Sequence, residues 1–503
     1  MSTKEISRSL SNDFFSQAAS FLNTYVTRDH SDTPVTRLSP PEDLKSRFAE
    51  AGIGLSIPDG QDAVAPEELL QAMRLTLDYS TSTGHPLFFN QLYGGPEPAG
   101  IAGEWLAVAA NTNCHTFEVA PVFTLVETEV LAKLARLIGG PYSQDHDGLF
   151  VPGGSIANIY GMHLARNRAD PAFKQRGAQG GPRLVAFTSE QAHYSYRKAV
   201  ALTGLGTDNL ISVACDADGA MSPASLQEAI KAAEQEGKTP FFVGATAGTT
   251  VTGAFDPLEP LSKICREHNV WLHVDGAWGG AALLSRKLRH LMAGCERADS
   301  MCWNPHKLLG MPLQCSVFLT QHADILRRTN AGGAAYLFQP DKLHAEYDLG
   351  DKTIQCGRRP DAFKLWLAWK AYGDAGFERW VDRADELAQA CEIRIKESGG
   401  ALQLVQRRAP FNVCFWWVPA QLRPYTPEQA TPAAKDLLSK VAPAIKELMQ
   451  QKGDAMIGFQ PLGSAPNFFR IVFAGAKLLQ DCDLDALLQR INAYGQQLFP
   501  AQQ

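Results

Sequence analysis

Trp271-Leu272-His273-Val274-Asp275 is the stretch that most directly indicates the fold of this chain. A continuous apolar run of this kind is typical of a strand buried inside a parallel sheet. Its last residue, Asp275, is therefore expected at the carboxyl edge of that sheet, where open α/β folds bind their ligands. The small residues that follow, including Ala277, leave space for a flat ring. A structural carboxylate or a helix N-cap is the simpler alternative for Asp275.

A second short apolar strand ends in Asn304-Pro305-His306-Lys307. A lysine amine becomes a nucleophile when burial or a neighbouring cation lowers its pKa, and it then forms a Schiff base with an aldehyde. Lys307 and Asp275 together suit pyridoxal 5′-phosphate (PLP), because the carboxylate pairs with the protonated ring nitrogen and keeps the ring an electron sink. Alone, a His-Lys pair is more often a surface lysine beside a capping histidine, so this interpretation needs further partners.

A glycine-rich turn, Val151-Pro152-Gly153-Gly154-Ser155, supplies the first of those partners. It leads into an apolar helical pattern, so Gly154 and Ser155 would present free backbone N–H groups and the positive end of a helix to an anion. A phosphate group fits such a site. The glycine spacing differs from the dinucleotide-binding fingerprint. An ordinary loop with Ser155 as the helix N-cap is the alternative.

Two further candidates, His193 and Thr246, each follow a predicted strand. The His193 imidazole would stack on the face of the pyridine ring and bind the substrate carboxylate, and the Thr246 hydroxyl would donate to the ring oxygen. A lone histidine is more often structural, and threonine-rich turns after strands are common. Found together and in this order, however, these elements predict a site for pyridoxal phosphate.

The chain resembles the PLP-dependent group II amino-acid decarboxylases, in the branch that holds glutamate decarboxylase and cysteine sulfinate decarboxylase. The similarity covers most of the chain and is carried by the segments above together with Phe88-Phe89-Asn90-Gln91-Leu92, Glu118-Val119-Ala120-Pro121-Val122-Phe123 and Asn467-Phe468-Phe469-Arg470.

The resemblance implies an α/β fold of the PLP fold-type I, aspartate aminotransferase-like class. Such a fold has a large domain with a mostly parallel seven-stranded sheet, an N-terminal segment and a small C-terminal α+β domain. The resemblance also implies a homodimer whose active sites lie at the interface. Asn304 and His306 would then contact the cofactor beside Lys307.

The resemblance further implies that Gln91, Tyr93, Asn113, His115 and Arg470 bind substrate. Arg470 would grip a distal carboxylate or sulfinate, since a guanidinium makes two parallel hydrogen bonds to such a group; a surface salt bridge is its plain alternative. Tyr93 stands where glutamate decarboxylases carry a small residue and cysteine sulfinate decarboxylases a phenylalanine, and its ring would shorten the pocket. Asn113 follows the glutamate pattern, and His115 matches neither. The balance favours cysteine sulfinate, cysteate or aspartate, with hypotaurine, taurine or β-alanine as the product amine.

The segment after Gln339 departs from the family pattern. The family usually places a tyrosine there that protonates the substrate Cα, whereas this chain reads Asp341-Lys342-Leu343-His344-Ala345-Glu346-Tyr347. His344 is the nearest candidate acid, because imidazole donates a proton near neutral pH. Glutamate decarboxylation to GABA, and aldehyde synthesis or aminotransfer on the same cofactor, stay open as alternatives. A non-catalytic paralogue that binds partners is a remote one, because the cofactor residues are all present.

Length predicts more than one domain, because 503 residues exceed what a single hydrophobic core usually supports. We expect an N-terminal helical arm over 1–100, a large PLP-binding domain over 101–375 and a small domain over 376–503. Within the last part, the pattern predicts helices over 432–451 and 484–499 and a strand over 411–418.

Composition excludes several other classes of protein. With 45% hydrophobic residues and a formal net charge of −6, the chain has no basic field for nucleic acid. Its 10 cysteines show no zinc-binding spacing, which predicts reduced thiols and no metal site. No apolar stretch is long enough to cross a bilayer, and the polar opening Met1-Ser2-Thr3-Lys4-Glu5 lacks a signal-peptide core. We therefore expect a cytoplasmic enzyme that acts on a small acidic amino acid.

Overall fold

The computed structural model describes residues 13–60, 63–334, 339 and 341–501. The polar opening at Met1 and the rest of the first 12 residues lie outside these ranges. By its internal contacts the chain forms two compact units. One unit joins the chain up to Asn90 with Trp417–Phe469 and the segment from Leu479 onward. The other consists of Gln91–Trp416 and Arg470–Leu478.

Helices and strands alternate through much of the chain. Helices α1 to α14 are, in order, Phe15–Thr27, Pro41–Glu50, Pro66–Tyr79, Pro98–Ala110, Pro121–Ile138, Gly154–Ala169, Phe173–Arg176, Ser195–Leu202, Pro223–Gln235, Leu258–Glu267, Ile325–Asn330, Ala362–Lys396, Pro432–Lys452 and Asp481–Leu498. Strands β1 to β12 are Phe88–Phe89, Asp147–Val151, Leu184–Ser189, Leu210–Val213, Thr239–Thr246, Trp271–Gly276, Ser300–Trp303, Ser316–Thr320, Leu402–Leu404, Asn412–Trp417, Met456–Leu462 and Ala465–Val472.

A seven-stranded sheet in the second unit has the strand order β2-β8-β7-β6-β5-β3-β4. The pairs β3–β4, β3–β5, β5–β6 and β6–β7 are parallel. Strand β8 runs antiparallel to both of its neighbours, β7 and β2. The predicted α/β fold with a mostly parallel seven-stranded sheet is thus confirmed.

Burial explains why most strands of this sheet are largely apolar. Every residue of β2, β3, β6, β7 and β8 is buried, as expected for a sheet covered on both faces. Helix α6 packs against β5 to β8, and Tyr160 on that helix belongs to the same core as Phe242, Trp271 and Phe318. Strand β6 therefore lies in the middle of the sheet, and Asp275 lies near its carboxyl end.

The compact units divide the chain differently from the three predicted parts. The predicted boundary at 375 falls inside helix α12, two residues beyond a bend at Gly373, where φ is 64°. In the first unit, Phe88 and Phe89 of β1 pair in parallel with Met456 and Ile457 of β11. This pairing joins the predicted N-terminal segment to the C-terminal part of the chain.

The elements near the C-terminal end of the chain agree with the sequence pattern. Helix α13 runs from Pro432 to Lys452 and packs against β11 and α14. Thr431 caps it, because its hydroxyl accepts a hydrogen bond from the Ala434 N–H at 3.2 Å. Helix α14 and strand β10 also lie within two or three residues of the predicted bounds. Among the described residues, no helix is both long and apolar enough to cross a membrane.

Candidate active site

A cavity of about 210 Å³ opens at the carboxyl ends of strands β5, β6 and β7. All nine residues predicted to bind the cofactor line it: Gly154, Ser155, His193, Thr246, Asp275, Ala277, Asn304, His306 and Lys307. Asn158, Tyr194, Gly248, Thr250 and Trp278 complete its wall. Residues that are far apart in sequence meet here because parallel strands end at one edge of a sheet.

Asp275 is a buried carboxylate with several donors around it. Its Oδ2 accepts a hydrogen bond from Asn158 Nδ2 at 2.8 Å, and its Oδ1 accepts from the Ala277 N–H at 3.0 Å and from Cys302 Sγ at 3.3 Å. Burial by itself raises the pKa of Asp275, but the Lys307 charge and these hydrogen bonds bring that pKa below its usual value. Asp275 therefore stays ionised and is able to hold a cationic ring nitrogen.

Lys307 occupies a tight turn that follows β7. Its backbone N–H donates to the Asn304 carbonyl at 2.9 Å, and its own carbonyl accepts from the Gly310 N–H at 3.1 Å. Burial lowers the pKa of the Lys307 amine, although the Asp275 charge opposes this effect. A lysine whose pKa is lowered has more of the neutral, nucleophilic form that bonds to an aldehyde.

Helix α6 points its N-terminus at the cavity. The helix follows Gly153, whose φ of 106° strongly favours glycine, and its first turn holds no acidic residue. A Cβ on Gly154 would lie 2.9 Å from Asn304 Nδ2 and 3.3 Å from the Ala277 Cβ, so this position has no room for a side chain. The helix N-terminus at Gly154 and Ser155 therefore suits an anion such as a phosphate.

Two histidines flank the lysine. His193 Nδ1 lies 2.8 Å from Ser195 Oγ, and burial lowers the pKa of this imidazole. His306 Nδ1 lies 3.1 Å from the Cys315 backbone nitrogen, and burial lowers the pKa of His306 to about 4. Both rings are therefore neutral at physiological pH, and a neutral ring suits contact with the face of a cofactor.

The residues of the cavity fit pyridoxal phosphate on independent grounds. Among the described residues, the buried Thr246 Oγ1 and Asn304 Oδ1 are without a hydrogen-bond partner inside the protein, and both residues line the cavity. Buried polar atoms of this kind normally bind something. Thr246 lies beside Asp275 on the neighbouring strand, which suits a hydroxyl that donates to the ring oxygen while Asp275 binds the ring nitrogen.

Of the residues predicted to bind substrate, Arg470 lies next to this cavity. Its Nη1 donates to the carbonyl of Thr250, a wall residue, at 3.0 Å. Burial lowers the pKa of the guanidinium, and Cys414 partly offsets that effect, yet an arginine remains charged in proteins. A positive charge therefore stands beside the cavity that contains Lys307.

The other predicted substrate and proton-donor residues, Gln91, Tyr93, Asn113, His115 and His344, lie outside the lining of this cavity in a single chain. Asn113 Oδ1 accepts from the Arg358 N–H at 2.8 Å, and the His115 carbonyl accepts from the Gly350 N–H at 2.7 Å. His344 packs edge-on against Phe117, with ring centroids 5.3 Å apart. The roles predicted for these residues stay predictions.

Sequence reasoning missed Asn158, which lies one helical turn beyond Gly154 and reaches Asp275. A signal was present, because Gly154, Asn158 and Gly161 recur at helical spacing and share one face of α6. A polar residue within such a small-residue stripe indicates a buried partner. Cys302 and Ser195 were missed because an apolar strand and the first residue of a helix give no sign of a distant partner.

A family model confirms the class of protein that this fold and cavity define. The pyridoxal-dependent decarboxylase conserved domain matches residues 50–418, and the chain belongs to this family. It is therefore a carboxy-lyase that uses pyridoxal 5′-phosphate.

Individual relatives refine this result. The chain is 48% identical over 434 residues to the cysteine sulfinic acid decarboxylases of Homo sapiens and Mus musculus, with 86% of each sequence covered. A crystal structure of mouse CSAD superimposes with a TM-score of 0.90 at 42% identity, covering 98% of this chain and 99% of that one. The structure of Oryza sativa TDC with PLP and tryptamine has a TM-score of 0.85 at 24% identity, covers 98% of each chain and shows the shared fold alone.

Proposed function

We propose that this chain decarboxylates a short acidic amino acid, with cysteine sulfinate as preferred substrate and carbon dioxide and hypotaurine as products. The position of Arg470 carries this proposal, because its guanidinium binds the carbonyl of Thr250 in the wall of the Lys307 cavity. The identity of 48% to cysteine sulfinic acid decarboxylases supports the same substrate. Cysteate and aspartate also carry a second acidic group at short reach and are the next candidates.

Different residues of the cavity would bind different parts of the cofactor. When bound, pyridoxal phosphate supplies the electron sink for the electron pair that carbon dioxide leaves behind. Gly154 and Ser155 offer backbone N–H groups to its phosphate, and Thr246 donates its hydroxyl to the ring oxygen. Asp275 holds a proton on the ring nitrogen, because a buried carboxylate that stays ionised favours a cationic partner. The Lys307 amine would hold the cofactor at its aldehyde carbon and would yield that position to the substrate amine.

The two anionic ends of the substrate need different partners. Arg470 binds the distal sulfinate or carboxylate through paired N–H donors, which gives orientation as well as affinity. His193 covers the ring and donates to the α-carboxylate. Loss of the α-carboxylate as carbon dioxide would leave the distal charge paired with Arg470. His344 is the proposed proton donor to Cα, and it has to approach from its present contact with Phe117.

The active form in this proposal is a homodimer of identical chains. Helices α4 and α5 of the second unit present large apolar side chains to solvent, including Trp105 at 44%, Val108 at 63% and Val122 at 61% exposure. A large exposed apolar patch usually marks an interaction surface. A second copy of the chain is the proposed occupant, because four predicted substrate residues lie outside the cavity of a single chain. Sedimentation would detect the dimer, and replacing Val108 and Val122 with glutamate would shift it to monomer.

We place the reaction in the cytoplasm. All ten cysteines are free, and cysteines that remain reduced are typical of that compartment. Fractionation of the native host cell would test this placement.

The direct test is a substrate panel of cysteine sulfinate, cysteate, aspartate and glutamate, with both carbon dioxide and the amine product measured. We expect stoichiometric carbon dioxide and amine, with the highest kcat/KM for cysteine sulfinate. Preference for glutamate would replace the proposed substrate with the alternative one. Hydrogen peroxide or ammonia in place of amine would point to aldehyde synthesis instead.

A further inference from the structure

A chain of fully or almost fully buried polar side chains runs behind Asp275, away from the cavity. Asn158 Nδ2 donates to Asp275 at 2.8 Å, and Asn158 Oδ1 lies 3.0 Å from His273 Nε2. His273 Nδ1 lies 2.8 Å from Ser300 Oγ, which accepts from the Trp271 indole N–H at 2.8 Å. Trp271, His273 and Ser300 are each 0% exposed and Asn158 is 1% exposed, so these bonds are shielded from bulk solvent.

The Asp275 end of the chain fixes the direction of its hydrogen bonds. An ionised carboxylate accepts only, so the Asn158 amide must turn its Nδ2 toward Asp275 and its Oδ1 toward His273. A carbonyl oxygen also only accepts, and His273 Nε2 must therefore carry a proton. No alternative orientation of the Asn158 amide satisfies both neighbours.

The opposite end of the chain agrees with this assignment. An indole N–H donates only, so Ser300 Oγ accepts from Trp271 and has its own proton to give to His273 Nδ1. That nitrogen is then an acceptor, as it must be in a neutral ring protonated on Nε2. Burial lowers the pKa of His273 to about 4, so the ring is neutral. The ring also stacks with those of Phe242 and Phe318, with centroids 5.9 and 6.1 Å away.

A branch of the same network reaches the other side of the cavity. The second hydrogen of Asn158 Nδ2 is donated to Ser195 Oγ at 2.9 Å, and that hydroxyl lies 2.8 Å from His193 Nδ1. The Ser195 backbone N–H also donates to His193 Nδ1, at 3.3 Å. Two donors that converge on Nδ1 make it an acceptor, so the proton of His193 is on Nε2.

We propose that His273 is a positioning residue that, through Asn158, holds Asp275 as a carboxylate and His193 as the Nε2–H tautomer. Every bond of the network points toward Asp275 or His193, and both of its ends are of fixed polarity. The network therefore cannot carry a proton to Asp275, and the charge opposite the ring nitrogen persists while other protons move. This inference deepens the proposed function. The importance of the network for the reaction rests on that proposed function.

Gly161 shows how closely helix α6 approaches this histidine. A Cβ at that position would lie 2.7 Å from His273 Nδ1. The imidazole thus packs at the interface between helix α6 and the sheet. A plain alternative follows, in which His273 serves only as a ring that packs the core, and the experiment must separate shape from hydrogen bonding.

Two substitutions at His273 separate the effect of shape from that of hydrogen bonding. The same two substitutions at His163 serve as the control. His273→Gln keeps one donor and one acceptor, whereas His273→Leu keeps bulk and removes both. His163 lies on the same helix as Asn158, but it bonds to Arg166 and Asn330. We expect His273→Leu to weaken pyridoxal phosphate binding roughly tenfold or more, because a buried partner is left unsatisfied. His273→Gln should restore binding to within about threefold, and neither change at His163 should alter it.

The measurements are the equilibrium dissociation constant of pyridoxal phosphate and neutron diffraction of the unaltered holoenzyme. Both are made without an amino acid, so a wrong substrate assignment leaves them unaffected. Deuterium on Nε2 of both His273 and His193 is the expected result; deuterium on His273 Nδ1, or on both of its nitrogens, would overturn the proposal. Wild-type cofactor affinity in His273→Leu would overturn it as well. Should that variant fail to fold, Ser300→Ala removes the hydroxyl donor to Nδ1 and should weaken cofactor binding in the same direction; unchanged affinity there would count against the proposal.

Discussion

The cofactor side and the substrate side of the site differ in how far one chain assembles them. Every residue predicted to bind pyridoxal phosphate lines one cavity. On the substrate side, Arg470 reaches the wall of that cavity through Thr250, whereas Gln91, Tyr93 and His115 belong to other surroundings. The cofactor side is built from strand ends, which the sheet brings together. On the substrate side Arg470 lies on strand β12, whereas the other predicted residues lie outside helices and strands. In our proposal this side is completed by a second copy of the chain.

The largest expected effect is at the cofactor side, where Lys307→Ala should lower kcat roughly 10⁴-fold or more, as loss of a covalent nucleophile does. The visible absorbance of the bound cofactor should be lost too. Absorbance and carbon dioxide release measure the two consequences. Lys198→Ala is the matched control, since Lys198 is an exposed lysine near the site, whose amine lies over the Tyr194 ring. Normal turnover in Lys307→Ala would remove the assignment.

Asp275→Asn should lower kcat by roughly 10² to 10³, the range seen when one preorganised electrostatic group is removed. Asp256→Asn is an informative comparison, because Asp256 is also buried and accepts from the Thr246 N–H at 2.7 Å. Burial raises the pKa of Asp256 to about 6, the opposite direction from Asp275. We expect Asp256→Asn to cost less than about tenfold, as for a typical hydrogen bond. Equal losses in steady-state kcat would show that charge at Asp275 is not what matters.

Substitution of Arg470 tests the substrate side. Arg470→Met should lower kcat/KM for cysteine sulfinate roughly tenfold to a hundredfold, since it removes charge-assisted hydrogen bonds. Arg470→Lys should recover part of the loss, because lysine keeps the charge without the paired donors. Cofactor affinity should change little in either variant. A parallel fall in cofactor affinity would assign Arg470 to the cofactor side instead.

The smallest expected effect is a change of preference at Tyr93. Tyr93→Ser should move the ratio of kcat/KM for cysteine sulfinate over glutamate by about tenfold toward glutamate, since a hydrophobic pocket discriminates weakly between side chains that differ by a methylene. Tyr93→Phe keeps the ring and should leave the ratio in place. Competition of the two substrates in one reaction gives the ratio directly. If serine leaves it unchanged, pocket depth does not decide specificity.

Features that depend on the local sequence pattern, such as strands and helix starts, were predicted from the sequence. Continuous apolar runs identified strands such as Trp271–Gly276, and the glycine pair before Ser155 identified a helix start. The sheet order then placed Thr246 beside Asp275, which no local pattern specifies.

Contacts between buried groups that are far apart in the chain could not be predicted from local sequence patterns. Nothing near Asn158 in the sequence indicates Asp275 as its partner, and Ser300 gives no sign that it meets both Trp271 and His273. The compact units raise the same difficulty, since the pairing of Phe88 with Met456 joins segments far apart in the chain. Such pairs depend on the register of the sheet and on how deeply the helices lie on it.

Gly161 allows helix α6 to lie close to the sheet beside the cofactor site. The same face of α6 that offers backbone N–H groups at Gly154 also carries Asn158 to Asp275, so the depth at which this helix lies on the sheet sets the distance between the two ends of the site. A single methyl group at position 161 would meet the His273 ring and lift the helix. A residue outside the lining of the cavity thereby helps to fix the spacing of the groups that would hold the cofactor.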